Sequence, residues 1–208
     1  MKIIAGTLKG RRLVSPRGLG TRPTADQVRI ALMDTLAPRL PGARFLDLFA
    51  GAGGVGLGAL SRGATRAVFV ERDAAAVAAL RRNVGALGVD DRTRVLRADV
   101  ERALGVLAAA DERFELVFLD PPYGADLVAA TLTRLGAGGL TVAGALVVVQ
   151  HFTKQPPPGE TGALIAFRTR RFGETTLTFF RAGANDTEPR GDMGGQAPAS
   201  SEARGPLC

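Results

Sequence analysis

Between residues 44 and 151 the chain repeats one pattern: a short, nearly continuous apolar run, then a longer stretch with apolar residues at helical spacing. The runs fall at 44–49, 66–71, 93–97, 115–120 and 144–151, and helices are predicted at about 54–62, 73–87, 100–109 and 125–136. Strands without polar alternation are buried on both faces, so the pattern demands a parallel sheet covered by helices on each side. The stretch 163–181 differs, because it reads as two strands joined tightly near Phe172 and Gly173. The expectation is therefore an α/β, Rossmann-like fold: a mostly parallel seven-stranded sheet closed by a C-terminal antiparallel hairpin.

Ahead of this core, residues 2–16 alternate loosely between apolar and polar and predict a small N-terminal β-hairpin. A helix is predicted over 23–40, with Thr24 as its cap and Pro38 closing it. Residues 183–208 are rich in Gly, Pro, Ala and Ser without aliphatic periodicity, which predicts a disordered tail. The expected domain plan is a basic extension over 1–20, one catalytic domain over 21–182 and the tail over 183–208.

Charge is uneven. Lys and Arg number 27 against 20 acids, a formal +7, and residues 1–30 hold seven basic residues against Asp26 alone. That favours a polyanionic partner. Lys9, Arg11, Arg12, Arg17 and Arg22 are the candidate contacts to such a partner, with Arg11, Arg12 and Arg17 foremost for phosphate; a solvated basic hairpin accounts for the same residues. The one cysteine, Cys208, is the last residue, so no intrachain disulfide and no cysteine-based metal site is available. No apolar signal core or bilayer-length run is present, and a soluble, cytoplasmic, metal-free monomer is expected.

Glycines cluster in LDLFAGAGGVGLGAL (46–60), where Gly51 to Gly56 satisfies G-x-G-x-x-G. A tight strand-to-helix turn explains that spacing as well as a dinucleotide site does. Asp47, four residues before Gly51, would repel a pyrophosphate; it suits a cationic or zwitterionic ligand, or fixes the turn by accepting backbone N–H bonds. Glu71 ends the second strand, where a carboxylate can accept both ribose hydroxyls. Asp99 follows the third strand and can meet an adenine edge or cap the next helix. Three acids at successive strand tips describe a ribonucleoside site without phosphate. S-adenosylmethionine fits it, whereas NAD leaves its pyrophosphate without a partner.

The fourth strand runs into Asp120, Pro121, Pro122 and Tyr123. The prolines fix two φ angles and carry no N–H, so the turn offers carbonyls and a carboxylate. That is an acceptor site for an exocyclic amine. Hydrogen bonds to Asp120 and the Pro121 carbonyl stabilise the positive charge that develops on nitrogen during methyl transfer. Tyr123 offers a face for the base to stack on. A rigid structural turn is the plainer account of a bare DPPY.

DLFAGAG (47–53) and DPPY (120–123) resemble the amino-group methyltransferases that use S-adenosylmethionine. IIAGTLKGRRL (3–13), TRPT (21–24), FLDPPYG and FGETTLTFFR (172–181) resemble the RsmD family in particular, over about residues 1–181. The resemblance implies a class I methyltransferase fold and methylation of guanine N2 in 16S ribosomal RNA, on assembled or assembling small subunits. It implies that Gly51 and Gly53 line the methionine part, with Asp47 and Phe49 nearby. Glu71, with Arg72 beside it, would hold the ribose, and Asp99, with Val100, the adenine. Asp120, Pro121 and Tyr123 would hold the base, and Arg22 and Thr24 would close over the site. Gln150 departs from the family pattern, which usually has an acid there, and the tail has no recognised counterpart. His151 is given no catalytic role. Adenine-N6 methylation of DNA, a Rossmann oxidoreductase using NAD and a non-enzymatic RNA-binding assembly factor stay as alternatives. The first lacks a target-recognition domain, and DPPY with Asp47 argues against the second.

Overall fold

The computed structural model describes residues 1–15, 23–122 and 125–183. Eight strands form one sheet. β1 (Arg44–Leu48), β2 (Arg66–Glu71), β3 (Thr93–Arg97), β4 (Phe114–Leu119) and β5 (Thr141–Phe152) are parallel. β6 (Glu160–Thr161) is a short edge strand. β7 (Leu164–Phe172) and β8 (Thr175–Ala182) form the expected antiparallel hairpin, and β8 inserts beside β5. The order across the sheet is β3-β2-β1-β4-β5-β8-β7-β6.

Two expectations about the sheet need correction. It has eight strands, not seven, because the two residues of β6 pair with β7. That edge is pinned by α5 (Ala125–Gly136), whose Gly136 carbonyl accepts from the Ala163 amide at 3.0 Å. A Cβ on Gly136 would stand 2.0 Å from the Thr161 carbonyl oxygen, so glycine is what lets the strand approach. The N-terminal hairpin reduces to one antiparallel bridge, Lys2 with Arg12, supported by Ile3 N–H to Arg11 C=O and Leu13 N–H to Met1 C=O.

α1 (Pro23–Leu36) begins one residue before Thr24, which therefore lies in its first turn and not at the cap. Pro38 sits in a 3-10 turn, Ala37–Arg39, that ends the helix. α2 (Gly54–Ser61) and α3 (Ala74–Leu87) share α1's side of the sheet, and Leu32, Leu57, Leu60 and Leu80 pack there on Phe45, Phe69 and Phe179. α4 (Val100–Ala109) and α5 cover the other side, with Leu104, Leu107, Leu132 and Leu135 against Leu46, Val68, Val117 and Val147. Because α2, which leaves β1, and α5, which leaves β4, lie on opposite faces, β1 and β4 flank the switch point, where open α/β sheets bind ligands at the strand carboxyl ends.

The basic arm is anchored, not free. Ile3 and Leu13 are buried, the Thr7 amide donates to the Ser61 carbonyl at 2.7 Å, and the Ser61 hydroxyl donates to the Ala5 carbonyl at 2.7 Å. Gly6 takes φ +89° against this contact, and a Cβ there would lie 1.9 Å from the Ser61 carbonyl oxygen. Of the disordered tail expected over 183–208, all but Gly183 lies outside the described residues.

Candidate active site

The carboxyl ends of four strands are laced together by backbone bonds. Ala50 N–H donates to the Val70 carbonyl (3.0 Å), Ala98 N–H to the Glu71 carbonyl (3.2 Å), and Asp120 N–H to the Leu48 carbonyl (3.4 Å). Asp47, Glu71, Asp99 and Asp120 thus fall along one edge. The glycine loop opens from β1 through Phe49, which takes φ +61° although it is not glycine. Such a residue costs energy unless its surroundings hold it, and these positions concentrate at ligand sites. Gly51 and Gly53 follow with φ +54° and +83°, and Gly53 precedes the first turn of α2.

Asp47 is 1 % exposed, and its Oδ2 accepts from the Gly56 amide at 2.7 Å. The turn-fixing role is therefore met in the structure. Burial drives its carboxyl well above the usual range; the Gly56 bond opposes that, and the charges of Asp120 and Glu71 reinforce it. Gly56 is required by closeness: an added Cβ would lie 2.4 Å from Phe69 Cε1 and 3.0 Å from Asp47 Oδ2.

Glu71 spans the loop and the next turn. One oxygen accepts from Gly51 N–H at 2.8 Å, and the other accepts from the amides of Arg72 and Asp73, each at 2.8 Å. Asp73 caps α3 by accepting from Ala76 N–H, and the Arg72 side chain is exposed. Asp99 caps α4, accepting from Arg102 N–H at 2.9 Å, while remaining exposed at the edge; Val100 is buried behind it. The capping alternative for Asp99 is thus present.

Asp120 follows β4 directly. It opens to solvent on one side, while protein crowds it on the others, and that desolvation pushes its carboxyl up to about 7. Pro121 is partly buried and Pro122 exposed. Tyr123, Arg17 and Arg22 lie outside the described residues. Lys9 and Arg12 stand exposed on the arm. Arg11 is turned to another use: its guanidinium donates to the Ala86 carbonyl in the last turn of α3, where a cation complements the helix dipole. Gln150 lies inside β5 opposite Leu177.

His151, also in β5, donates from Nδ1 to the Phe152 carbonyl (2.7 Å) and faces the Thr178 hydroxyl through Nε2 (2.8 Å). A carbonyl only accepts, so Nδ1 carries the proton and Nε2 accepts from Thr178. Burial lowers its pKa in agreement with that neutral form.

Sequence reasoning missed Asn83. It is 1 % exposed on α3, where its amide donates to the Val14 carbonyl and the Ala52 carbonyl, both at 2.9 Å, and its oxygen accepts from Val14 N–H at 2.7 Å. One side chain therefore ties the arm to the glycine loop. The available signal was an amide at core spacing, three residues after Leu80 and one before Val84.

The edge offers carboxylates, carbonyls and glycine backbone; Arg29 comes up to the loop at Gly54, and its charge is already met by Asp26 at 2.9 Å. A cationic nucleoside such as S-adenosylmethionine fits that donor set. Among the described residues there is no group of three or more His, Cys, Asp or Glu able to hold a metal, and no helix long and apolar enough to cross a membrane.

Known proteins resemble the chain over most of its length. The model of the family described as "Conserved hypothetical protein 95" matches residues 1–181. The chain is 35 % identical over 181 residues to the Bacillus subtilis protein YlbH, covering 87 % of this chain and 98 % of that one. It is 37 % identical over 150 residues to "Ribosomal RNA small subunit methyltransferase D" of Escherichia coli K12, covering 72 % of this chain and 74 % of the relative. A solved Thermus thermophilus protein superposes with TM-score 0.73 at 39 % identity, covering 86 % of this chain and 98 % of that one. A Thermus thermophilus 16S rRNA N2 methyltransferase, solved with S-adenosylmethionine and guanosine, shares the fold (TM-score 0.62, 24 % identity, 80 % of this chain, 44 % of that one).

Proposed function

The chain belongs to the RsmD family, and from that premise we propose that it methylates the exocyclic N2 of a guanine in small-subunit (16S) ribosomal RNA, using S-adenosylmethionine. The observation that carries the reading is the junction of two loops across one strand boundary. Asp120, at the tip of β4, donates its amide to Leu48, the last residue of β1, from which the glycine loop departs.

S-adenosylmethionine, when bound, supplies a methyl group activated by a sulfonium. Glu71 sets a negative field beside the glycine loop that favours this cation and lies at the strand end suited to ribose hydroxyls, while Asp47 fixes the loop from beneath through the Gly56 amide. Asp99 is the edge acid for the adenine. Across the boundary, Asp120 and the Pro121 carbonyl accept hydrogen bonds from the guanine amino group. Those bonds localise the nitrogen lone pair towards the methyl carbon and stabilise the positive charge that grows on nitrogen. A carboxylate with pKa near 7 is also matched to receiving the amine proton afterwards. The exposed Lys9 and Arg12 contribute phosphate contacts that position RNA without reading its sequence. The substrate in this reading is an assembled or assembling small subunit, and the enzyme acts as a cytoplasmic, metal-free monomer.

The test is methyl transfer from radiolabelled S-adenosylmethionine to small subunits from a strain lacking this gene, with naked 16S RNA and duplex DNA alongside. N2-methylguanosine in the nucleoside digest is the expected product. N6-methyladenine from DNA would keep the chemistry at Asp120 and overturn the substrate.

A further inference from the structure

On the α1 side the sheet is only partly roofed. Arg170 marks the edge of the cover: its Nη1 donates to the Ala31 carbonyl (3.3 Å) and the Thr35 hydroxyl (3.0 Å) of α1. Beyond it, β7 and β8 lie open, with Ile165 55 % and Phe167 48 % exposed. Phe167 is the extra residue of a bulge between Ala166 and Arg168, the kind of irregularity that re-aims a side chain. Its ring leans on the fully buried Phe179, with centroids 6.5 Å apart. Arg181 lays its guanidinium over the outer part of this floor, 5.1 Å from the Phe167 centroid.

The register places the charges together. Arg168 stands opposite Phe179 and Ile165 opposite Arg181, so Arg168 and Arg181 share the face that carries Phe179. Arg39 approaches the same side, donating to the Gly144 carbonyl at 2.8 Å near the start of β5. Two acids lie along this part of the sheet: Glu160 on β6, opposite Ile165, and Glu174 in the β7–β8 turn at the far end of the hairpin. Neither forms an ion pair with Arg168 or Arg181 among the described residues. Both arginines are exposed.

We infer that this face of β7–β8 is a second docking surface for the substrate RNA, distinct from the N-terminal arm. Arg168, Arg181 and Arg39 contact the sugar–phosphate backbone, and Phe167 with Ile165 forms the apolar floor that holds Arg181 in place. The inference rests on ribosomal RNA being the substrate. Charge selects the occupant: two apolar side chains ringed by arginines make a poor seat for a second copy of a basic chain. A guanidinium held over a ring presents its fork to phosphate with less ordering left to do than a free side chain. Geometry supports it too. The arm meets α1 through Arg29, whose Nη2 donates to the Lys2 carbonyl at 3.4 Å, and the hairpin meets α1 through Arg170. Basic surfaces thus flank α1 on both sides, so RNA lying across α1 is held at two places.

The experiment compares wild type with R168A/R181A, F167A and R181K, using small subunits that lack the modification. Three quantities are read: steady-state methylation, subunit binding over a salt series, and S-adenosylmethionine affinity. For R168A/R181A the slope of log K against log salt should become shallower by about 0.7–0.9 for each phosphate no longer neutralised, and KM for subunits should rise about tenfold from the two substitutions together. kcat and S-adenosylmethionine affinity should stay at wild-type values, which also shows that the fold is intact. R181K should fall between wild type and the double variant, because an ammonium keeps the charge and loses the fork. Unchanged slope and KM in R168A/R181A would overturn the proposal. So would a wild-type dimer that F167A dissolves, since the face would then belong to a contact between copies. Wild type that binds subunits without methylating them would sink the proposed reaction instead; the salt slopes, read from binding alone, still decide the docking surface.

Discussion

Asn83 holds Val14 by both of its backbone groups and spends its remaining amide hydrogen on Ala52. The arm and the glycine loop therefore share one buried side chain. In N83A the Ala52 carbonyl loses its partner in a buried site, while the more exposed Val14 groups can turn to water. The expected loss is about 1–3 kcal/mol of stability. Urea unfolding measures that loss, and limited proteolysis should show faster cleavage between residues 5 and 20. An arm cleaved at the wild-type rate would mean that Asn83 is not its anchor.

Asp47→Asn is expected to separate stability from cofactor binding. The native carboxyl holds its proton above the ordinary value of 3.8. As pH rises from that value, the unfolded chain loses its proton first, so the native state binds more protons and stability falls with pH across the window. The asparagine carbonyl can keep the Gly56 bond without carrying charge, so D47N should unfold at a higher temperature at neutral pH and lose the downward slope. Its S-adenosylmethionine affinity should stay close to wild type, because the loop keeps its Gly56 bond. Thermal melts from pH 4 to 8 together with calorimetric titration test both halves.

Asp120 should impose a pH profile. Its carboxyl is pushed up to about 7 by the protein that crowds it, and the acceptor role needs the ionised form. kcat/KM for subunits should therefore rise with pH through about 7 and level off above it. A cationic cofactor beside the group favours the carboxylate, so the same limb in kcat should lie at lower pH. D120A should lower kcat by about a hundred- to a thousandfold and leave RNA binding near wild type. A D120A enzyme with normal turnover would remove Asp120 from the chemistry.

Gly56→Ala tests the closeness of the loop. The new methyl would press into Phe69 and Asp47 at once, and Phe69 is fully buried. Overpacking of this kind costs about 1–3 kcal/mol. Because the strain falls on the carboxylate under the loop, S-adenosylmethionine affinity should drop with it. Gly85→Ala is the control: it lies on α3 with nothing within 4 Å of an added Cβ, and should be neutral or stabilising.

The parallel strands and their helices were legible because each announces itself locally. β1, β2 and β3 begin at the predicted residues, since an apolar run bounded by polar turns has one reading when helices separate the runs. The antiparallel hairpin was visible for the same reason, through the turn at Gly173. β6 was not legible: two polar residues after three prolines carry no strand signal, and only the approach of Gly136 creates the strand. β5 starts at Thr141, earlier than predicted, because Gly144 (φ +75°) reads as a break while the register shift opposite Phe114 and Leu116 absorbs it. At the site, the acids could be placed at strand ends from spacing alone. Who accepts from whom could not. That Glu71 is engaged by three amides, that Arg11 caps α3 and that Asn83 bridges two segments are all facts of tertiary distance.

The sheet order has one more consequence. β1 and β4 are direct neighbours, in register from Phe45–Leu116 to Leu48–Leu119. Adjacent strands lie about 4.8 Å apart, and atoms poised to react stand about 3–3.5 Å apart. The gap between donor loop and acceptor turn is thus of the order of one interstrand spacing, a length written into the hydrogen-bond ladder. A slip of one residue between β1 and β4 would carry Asp120 about 3.3 Å along the strand axis, roughly a whole reaction distance. The tolerance of the chemistry is therefore inherited from the stiffest part of the molecule, and the loops are left free to vary in what they bind.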